Sequence, residues 1–350
     1  MAEAALRPAE GPAVWYGPQM ALRDDWKVDL AEGHIAEVES ACAALLGARR
    51  DIAGVRREDA SLPTLDRLLA AIAAQVTTGR GFVLLRGLPV ERWSRETTSL
   101  AYWLIGTRLG IAVPQNGMGH VLGHVRDLGH DPASPMTRIY TTSAAQEYHT
   151  DSCDIVGLLC LRPARSGGAS SIASSTTVWN EVLARAADLA RVLTRPFTLD
   201  RKGEVPPGKG ATYELPIFHN FGGQISALYA RSFIRAAQAR AETPRLTDEQ
   251  NAAMDLVDAL AGSDAIRLDM DFRPGDMQFL HNHQILHART AYEDWSEPTR
   301  KRHLLRLWLS TPNGRPLPPA FAERYGTVAP GAVRGGIRTA GQTQIAPLEP

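Results

Sequence analysis

A chain of 350 residues with 38 basic and 38 acidic side chains can bury one elaborated domain or two, and its neutral balance gives nucleic acid or an acidic membrane no bulk charge to bind. No apolar run approaches the length of a membrane span. Three cysteines, Cys42, Cys153 and Cys160, are odd in number and lack CxxC spacing, so they read as reduced, buried thiols of a cytoplasmic protein and not as a disulfide or zinc framework.

The N-terminal stretch MAEAALRPAEGPAVWYG has neither a basic region nor a continuous apolar one and does not read as a signal peptide. Residues 1–110 read as a mostly helical flank around a first strand. SLPTLDRLLAAIAAQVTT, residues 61–78, has a serine cap and apolar residues at helical spacing, GFVLLRGLPV (81–90) reads as a buried strand, and 95–109 reads as a second helix. Residues 112–135, rich in Gly, His and Asn, read as irregular. From Thr137 onward short β-like runs dominate: TRIYTT, DIVGLLCL, ASSIAS, ATYELPIF, QISALYA, AIRLDMDF, DMQFLHN, QILHART and RHLLRLWLS. Helical inserts are predicted over 176–193, 230–241 and 248–261, the last with a capping box at Thr247 and Gln250. Short strands without regular strand–helix alternation predict an antiparallel sandwich or jelly roll. The expected organisation is one domain over 1–312, with its β core at 137–312, followed by a Pro/Gly-rich tail at 313–350.

In YHTDSCDIVGLLCL, His149 and Asp151 are two apart, so an extended backbone turns both to one face while Thr150 turns away. By itself His-x-Asp is an ordinary occurrence. Joined by a second histidine from a distant strand, it becomes the two-histidine, one-carboxylate face that holds Fe(II) in non-haem oxygenases and leaves three coordination positions open. FLHNHQILHART offers His281, His283 and His287 for that role. The following strand, KRHLLRLWLS, carries Arg302, Leu304, Arg306 and Trp308 on one face and His303, Leu305, Leu307 and Leu309 on the other. Guanidinium groups on so apolar a strand call for an anion, and their planar fork suits a carboxylate.

The order HTD, GG-x-S, NHxxxH and RxxxR, together with GFVLLRGLPV upstream, resembles the taurine dioxygenase-like (TauD/TfdA) family of Fe(II)- and 2-oxoglutarate-dependent oxygenases. The resemblance implies a mainly β fold with flanking helices, a double-stranded β-helix of the cupin kind. It makes His149, Asp151 and His287 the iron ligands, with His281 and His283 in supporting roles. Arg302 takes the position that holds the far carboxylate of 2-oxoglutarate, and Ser170 of SGGASS supplies a hydroxyl to it, with Ser171 the neighbouring alternative. Arg306 matches a second arginine that meets cosubstrate or substrate. Asn116, and after it Gln115, Tyr140 and Tyr148, are the substrate-pocket candidates. Asn282 reads as a backbone-binding turn residue and Asp276 as structural.

The implied chemistry uses Fe(II) with 2-oxoglutarate and O2 as cosubstrates. It releases succinate and CO2 and oxidises, most simply hydroxylates, a C–H bond of a small anionic or amino-acid-like molecule. The carboxylate of Asp151 argues against a halogenase, whose relatives carry a small residue there; desaturation, epoxidation and ring closure stay open. A homo-oligomer is compatible with the family. Two other classes are a jelly-roll binding protein, which predicts no succinate with any compound, and a cupin-type metalloenzyme that does not need 2-oxoglutarate. The second leaves the Arg302/Arg306 face unexplained.

Overall fold

The computed structural model describes residues 6–350. The signal-peptide argument therefore falls in part on residues 1–5, outside the described residues. Two sheets make the framework. A 7-stranded sheet runs in the order Lys27–Asp29, Phe82–Arg86, Met277–His281, Ile155–Arg162, His303–Ser310 and Ile111–Ala112, with Leu122–Val125 also pairing with His303–Ser310. A 4-stranded antiparallel sheet runs Leu268–Met270, Ser170–Ser174, Ile285–Arg289, Gln146–His149. From Leu122 onward the chain passes back and forth between the sheets, except that Ser170–Ser174 and Leu268–Met270, the next strand of either sheet, pair side by side in the small one.

Alternation along the strands decides what fills each layer. On His303–Ser310, Leu305, Leu307 and Leu309 pack outward against helices Glu32–Gly47, Pro63–Thr77 and Arg95–Leu109. Trp308 points inward and packs with Phe82, Val156 and Leu280 of its own sheet and Ile172, Leu268 and Ile285 of the other. The small sheet's outer face is covered by helices Ser175–Arg185, Ala187–Leu193 and Asp248–Ala261. Each fully buried Leu or Phe contributes about 1.5–3 kcal/mol, so these three apolar layers dominate the favourable side of folding.

Several local expectations are corrected. Ser61 does not cap the helix that starts at Pro63: the N-cap is Leu62, and the Glu37 carboxylate of the preceding helix accepts the Thr64 and Leu65 amides at 3.0 and 3.1 Å instead. Leu122–Val125 is a fully buried strand inside the stretch read as irregular, and TRIYTT forms a 3-10 turn at Ile139–Thr141. The helix expected over 176–193 breaks at Ala186 into two. At Thr247 and Gln250 both capping-box bonds form, at 3.0 and 3.1 Å. The tail is tied down: Gly336 donates to Ser152 O, Ile337 to Pro114 O and Val121 to Ile345 O, each at 2.8 Å.

Candidate metal centre and cosubstrate cavity

The strand Gln146–His149 ends at the first histidine, opposite His287 in the ladder with Ile285–Arg289. Thr150 turns away and exchanges backbone and hydroxyl bonds with Tyr229 at 2.7 and 2.9 Å. Asp151 then lies in the link that crosses to Ile155–Arg162 in the other sheet, its amide held by Asn282 Oδ1 at 2.9 Å. Asn282 is thus the backbone-binding turn residue its sequence position suggests. The crossing brings His149, Asp151 and His287 together, with one ligand atom from each lying within 4.8 Å of the others.

The protonation states suit a cation. His149 Nδ1 donates to Glu147 O at 2.8 Å, which leaves Nε2 as the lone-pair nitrogen, and Gln146 Nε2 sits against it at 2.9 Å. Burial pushes the His149 imidazole down, and burial with His149 beside it pushes His287 down to about 3. Burial would raise the Asp151 carboxyl, but Arg306, the two imidazoles and the Trp308 indole outweigh it and hold it at about 2. Near neutral pH the set is therefore two neutral imidazoles and one carboxylate, as a metal requires. Asp151 Oδ2 is taken by Trp308 Nε1 at 2.7 Å and Arg306 Nη1 at 3.4 Å, whereas Oδ1 faces His149 Nε2 at 3.8 Å. Trp308 and Arg306 orient one oxygen and leave the other for an ion.

Behind the three residues lies a narrow cavity lined by Ser170, Arg289, Arg302, Arg306, Tyr140 and Phe272, among others. Arg302 is buried. Its Nη2 reaches only the Gly168 carbonyl, at 3.5 Å, and its Nη1 has no partner among the described residues. Gly168, at φ +73°, keeps the room: a Cβ there would stand 3.0 Å from Arg302 Nε. Arg289 gives one nitrogen to the Thr142 and Ala144 carbonyls, while its Nε and Nη1 are orphaned. Burial and then the charge of Arg302 push Arg289 down to about 10. Two buried guanidinium groups that repel each other and lack a carboxylate fit the distal end of a dicarboxylate.

Ser170 faces this cavity, with Gln278 Nε2 at 3.3 Å. Ser171, one residue on, points to the opposite face, where its hydroxyl meets Asp269 at 2.6 Å and Tyr148 at 2.5 Å. Arg306 is braced by Gln115, which accepts from Nε at 2.7 Å and donates to the Arg306 carbonyl at 2.8 Å. Asn116 does not touch the metal-binding residues: its Oδ1 accepts the Met118 and His120 amides of its own loop, and it lines a neighbouring depression that shares Arg138, Tyr140 and Arg306 with the outer cleft. His283 bonds Asp154 at 3.1 Å in a different buried cluster, and Asp276 pairs with Arg86 at 3.2 Å. Arg289 went unread although it shares strand parity with His287. Trp308 was placed on the Arg306 face, but its bond to Asp151 was not anticipated.

Three such donors would hold Fe(II) and leave it positions for a keto acid and dioxygen, and Arg289 and Arg302 line the cavity beside them. That combination on a two-sheet sandwich defines a non-haem Fe(II)- and 2-oxoglutarate-dependent oxygenase. The family model described as "Taurine catabolism dioxygenase TauD, TfdA family" matches residues 48–308, and the chain belongs to that family. FR-33289 synthase of Streptomyces rubellomurinus is 31% identical over 336 residues, which span 94% of this chain and 98% of that protein. A taurine hydroxylase-like protein of Stachybotrys chartarum is 28% identical over 305 residues, 84% of this chain and 77% of that one. Among solved structures, an asparagine oxygenase in complex with Fe(II), 2S,3S-3-hydroxyasparagine and succinate has the same fold. It superposes with a TM-score of 0.61 at 19% identity, covering 82% of this chain and 94% of that one.

Proposed function

We propose that this oxygenase hydroxylates a C–H bond of a small anionic or amino-acid-like molecule, with His149, Asp151 and His287 as the iron ligands. The observation that carries the assignment is the pair of orphaned guanidinium groups, Arg302 and Arg289, behind a set of ligands already in its metal-binding protonation state. When bound, iron with 2-oxoglutarate and O2 supplies oxidative decarboxylation to succinate and CO2, and the oxidising power for the C–H bond. The chain's own residues do the rest. Arg302 and Ser170 hold the distal carboxylate, and Arg289 adds a second guanidinium to that end. Arg306, braced by Gln115, fixes Asp151 and presents its remaining edge to whatever lies in front of the metal. The rings of Tyr140, Phe272 and Trp308 exclude water around the reacting centre.

Substrate enters an outer cleft of about 420 Å³ that shares His149, Gln146, Tyr140 and Arg306 with the inner cavity. The passage of eight strands between the sheets, from Leu122–Val125 to His303–Ser310, alternating but for the paired Ser170–Ser174 and Leu268–Met270, is the basis for reading the sandwich as a double-stranded β-helix. Residues 1–312 are read as one oxygenase domain and 313–350 as a tail packed on it. The three buried free thiols fit a reducing compartment such as the cytoplasm.

The test is O2-dependent conversion of 2-oxoglutarate to succinate in the presence of Fe(II), with a set of amino acids and small anions as substrates. Wild type is expected to form succinate and Asp151→Ala, while folded, to form none. Succinate formation at an equal rate in Asp151→Ala would overturn the assignment.

A further inference from the structure

Four residues line both the inner cavity and the outer cleft: Tyr140, Gln146, His149 and Arg306. His149 belongs to the metal-binding set. Arg306 is committed to Gln115 and Asp151 and stacks on the Tyr140 ring at 4.5 Å. Gln146 alone of the four brings an amide, with two N–H donors and a carbonyl acceptor, to the junction of the two spaces.

An irregularity in its strand puts it there. In the ladder His287 faces His149 and Arg289 faces Gln146, so Gln146–His149 takes one residue more than its partner to cover the same length. In a regular strand, residues three apart point to opposite faces. The extra residue is a β-bulge, and it turns Gln146 onto the His149 side, across from the cavity-lining Arg289. Tyr148 keeps the outward direction, where its hydroxyl meets Ser171. Bulges re-aim side chains beside active sites, and the side chain re-aimed here is the amide of Gln146.

Among the described residues the Gln146 amide has one side-chain hydrogen bond, from Nε2 to His149 Nε2 at 2.9 Å. That imidazole nitrogen carries the lone pair, since Nδ1 donates to Glu147 O. A metal ion takes the same lone pair. Metal–imidazole bonds run about 2 Å, so an amide that stays in place then lies within about 5 Å of the ion, with its N–H released. The acceptors that arrive with the metal are the oxygens of the groups in its open positions. Of these, the chelating end of 2-oxoglutarate is the one continuous with the inner cavity, which Gln146, Arg289 and Arg302 line together. We propose that Gln146 donates to the carboxylate at the chelating end of 2-oxoglutarate and so orients the keto acid at the metal. This rests on the function proposed above. A carboxylate oxygen taken from water without a donor is costly, and a neutral amide supplies one without adding to the positive charge of Arg289, Arg302 and Arg306.

The test is anaerobic titration of the Fe(II)-loaded enzyme with 2-oxoglutarate and with 2-oxovalerate, which keeps the chelating end and lacks the distal carboxylate. Keto-acid affinity is read from the visible absorption band, and Fe(II) affinity from calorimetry before either keto acid is added. Gln146→Met keeps the length and loses the donor, and Gln146→Glu keeps the shape but sets a negative charge against the carboxylate. Each variant is expected to weaken binding about tenfold or more, by the same factor for the two keto acids. Fe(II) affinity is expected to stay level or rise, because His149 Nε2 loses a competitor. Arg302→Ala is expected to weaken 2-oxoglutarate alone. Unchanged affinity for both keto acids in both folded variants would overturn the proposal. So would a loss confined to 2-oxoglutarate, which places Gln146 at the distal end, or an equal loss of Fe(II) affinity, which makes it a support of the ligands. A wild type that binds iron and gives no band fails the underlying function reading, an outcome distinct from a band that the Gln146 variants leave unchanged.

Discussion

Arg289 and Arg302 reach the inner cavity from different strands, and each has N–H groups without a partner among the described residues. If both hold the cosubstrate, Arg302→Ala and Arg289→Ala each remove charge-assisted hydrogen bonds worth about 1.5–3 kcal/mol, so the KM for 2-oxoglutarate rises by about 10–100-fold. Removing two mutually repelling buried charges singly should leave the melting temperature level or raise it, whereas a structural role predicts the opposite pattern. Steady-state kinetics beside thermal denaturation decides between them. Ser170→Ala is expected to raise the same KM a few-fold, and Ser171→Ala to lower stability without touching it, because the two hydroxyls face opposite ways. At this scale strand parity anticipated placement: His149, His287, Arg302 and Ser170 all line the inner cavity. Asn116 satisfies its own turn and lines a depression adjoining the cleft, a placement that its position in a loop does not fix in advance.

The secondary elements show the same division. Helix Arg95–Leu109 and the boxed helix Asp248–Ala261 begin and end where the sequence indicates, because their caps and apolar spacing are local. The helix Pro63–Thr77 is capped from outside, by Glu37 on its neighbour, and no local pattern encodes that. Glu37→Ala should therefore cost about 1 kcal/mol in denaturant unfolding, as loss of an N-cap does, while Ser61→Ala should change stability by less than about 0.5 kcal/mol. Equal losses in both variants would restore Ser61 as the cap. Leu122–Val125, with the sequence LGHV inside a Gly/His-rich stretch, becomes a strand because Leu304–Leu307 offers it a ladder. Its pairing is non-local, which is why composition misread it.

For the molecule as a whole, the sandwich was legible and its fastening was not. A relay runs from helix to sheet to tail: Arg95 to His303 at 3.1 Å, His303 to His124 at 2.8 Å, and His124 to the Pro347 carbonyl at 2.9 Å. Arginine can only donate and a carbonyl only accept, so both imidazoles must be neutral for the relay to close. Burial pushes His124 below its ordinary 6.5 and, with Arg95 beside it, His303 to about 2. Groups held neutral in the fold contribute stability that is fully present above pH 6.5 and lost as pH falls toward their folded values. Each such histidine costs up to about 1.4 kcal/mol per pH unit in that window. The melting temperature should thus fall from pH 7 to 5, less steeply in His303→Asn, with amide exchange of residues 343–350 accelerating first in wild type. A pH-independent melting temperature over this range would contradict the relay.

The central claim is that His149, Asp151 and His287 hold iron and Arg302 holds a chelating 2-oxoglutarate beside it. Anaerobic visible absorbance during addition of Fe(II) and then 2-oxoglutarate tests it most directly. Wild type is expected to give a charge-transfer band, absent in His149→Ala and requiring about 10–100-fold more 2-oxoglutarate in Arg302→Ala. A folded wild-type protein that binds iron but gives no band at saturating 2-oxoglutarate would contradict it.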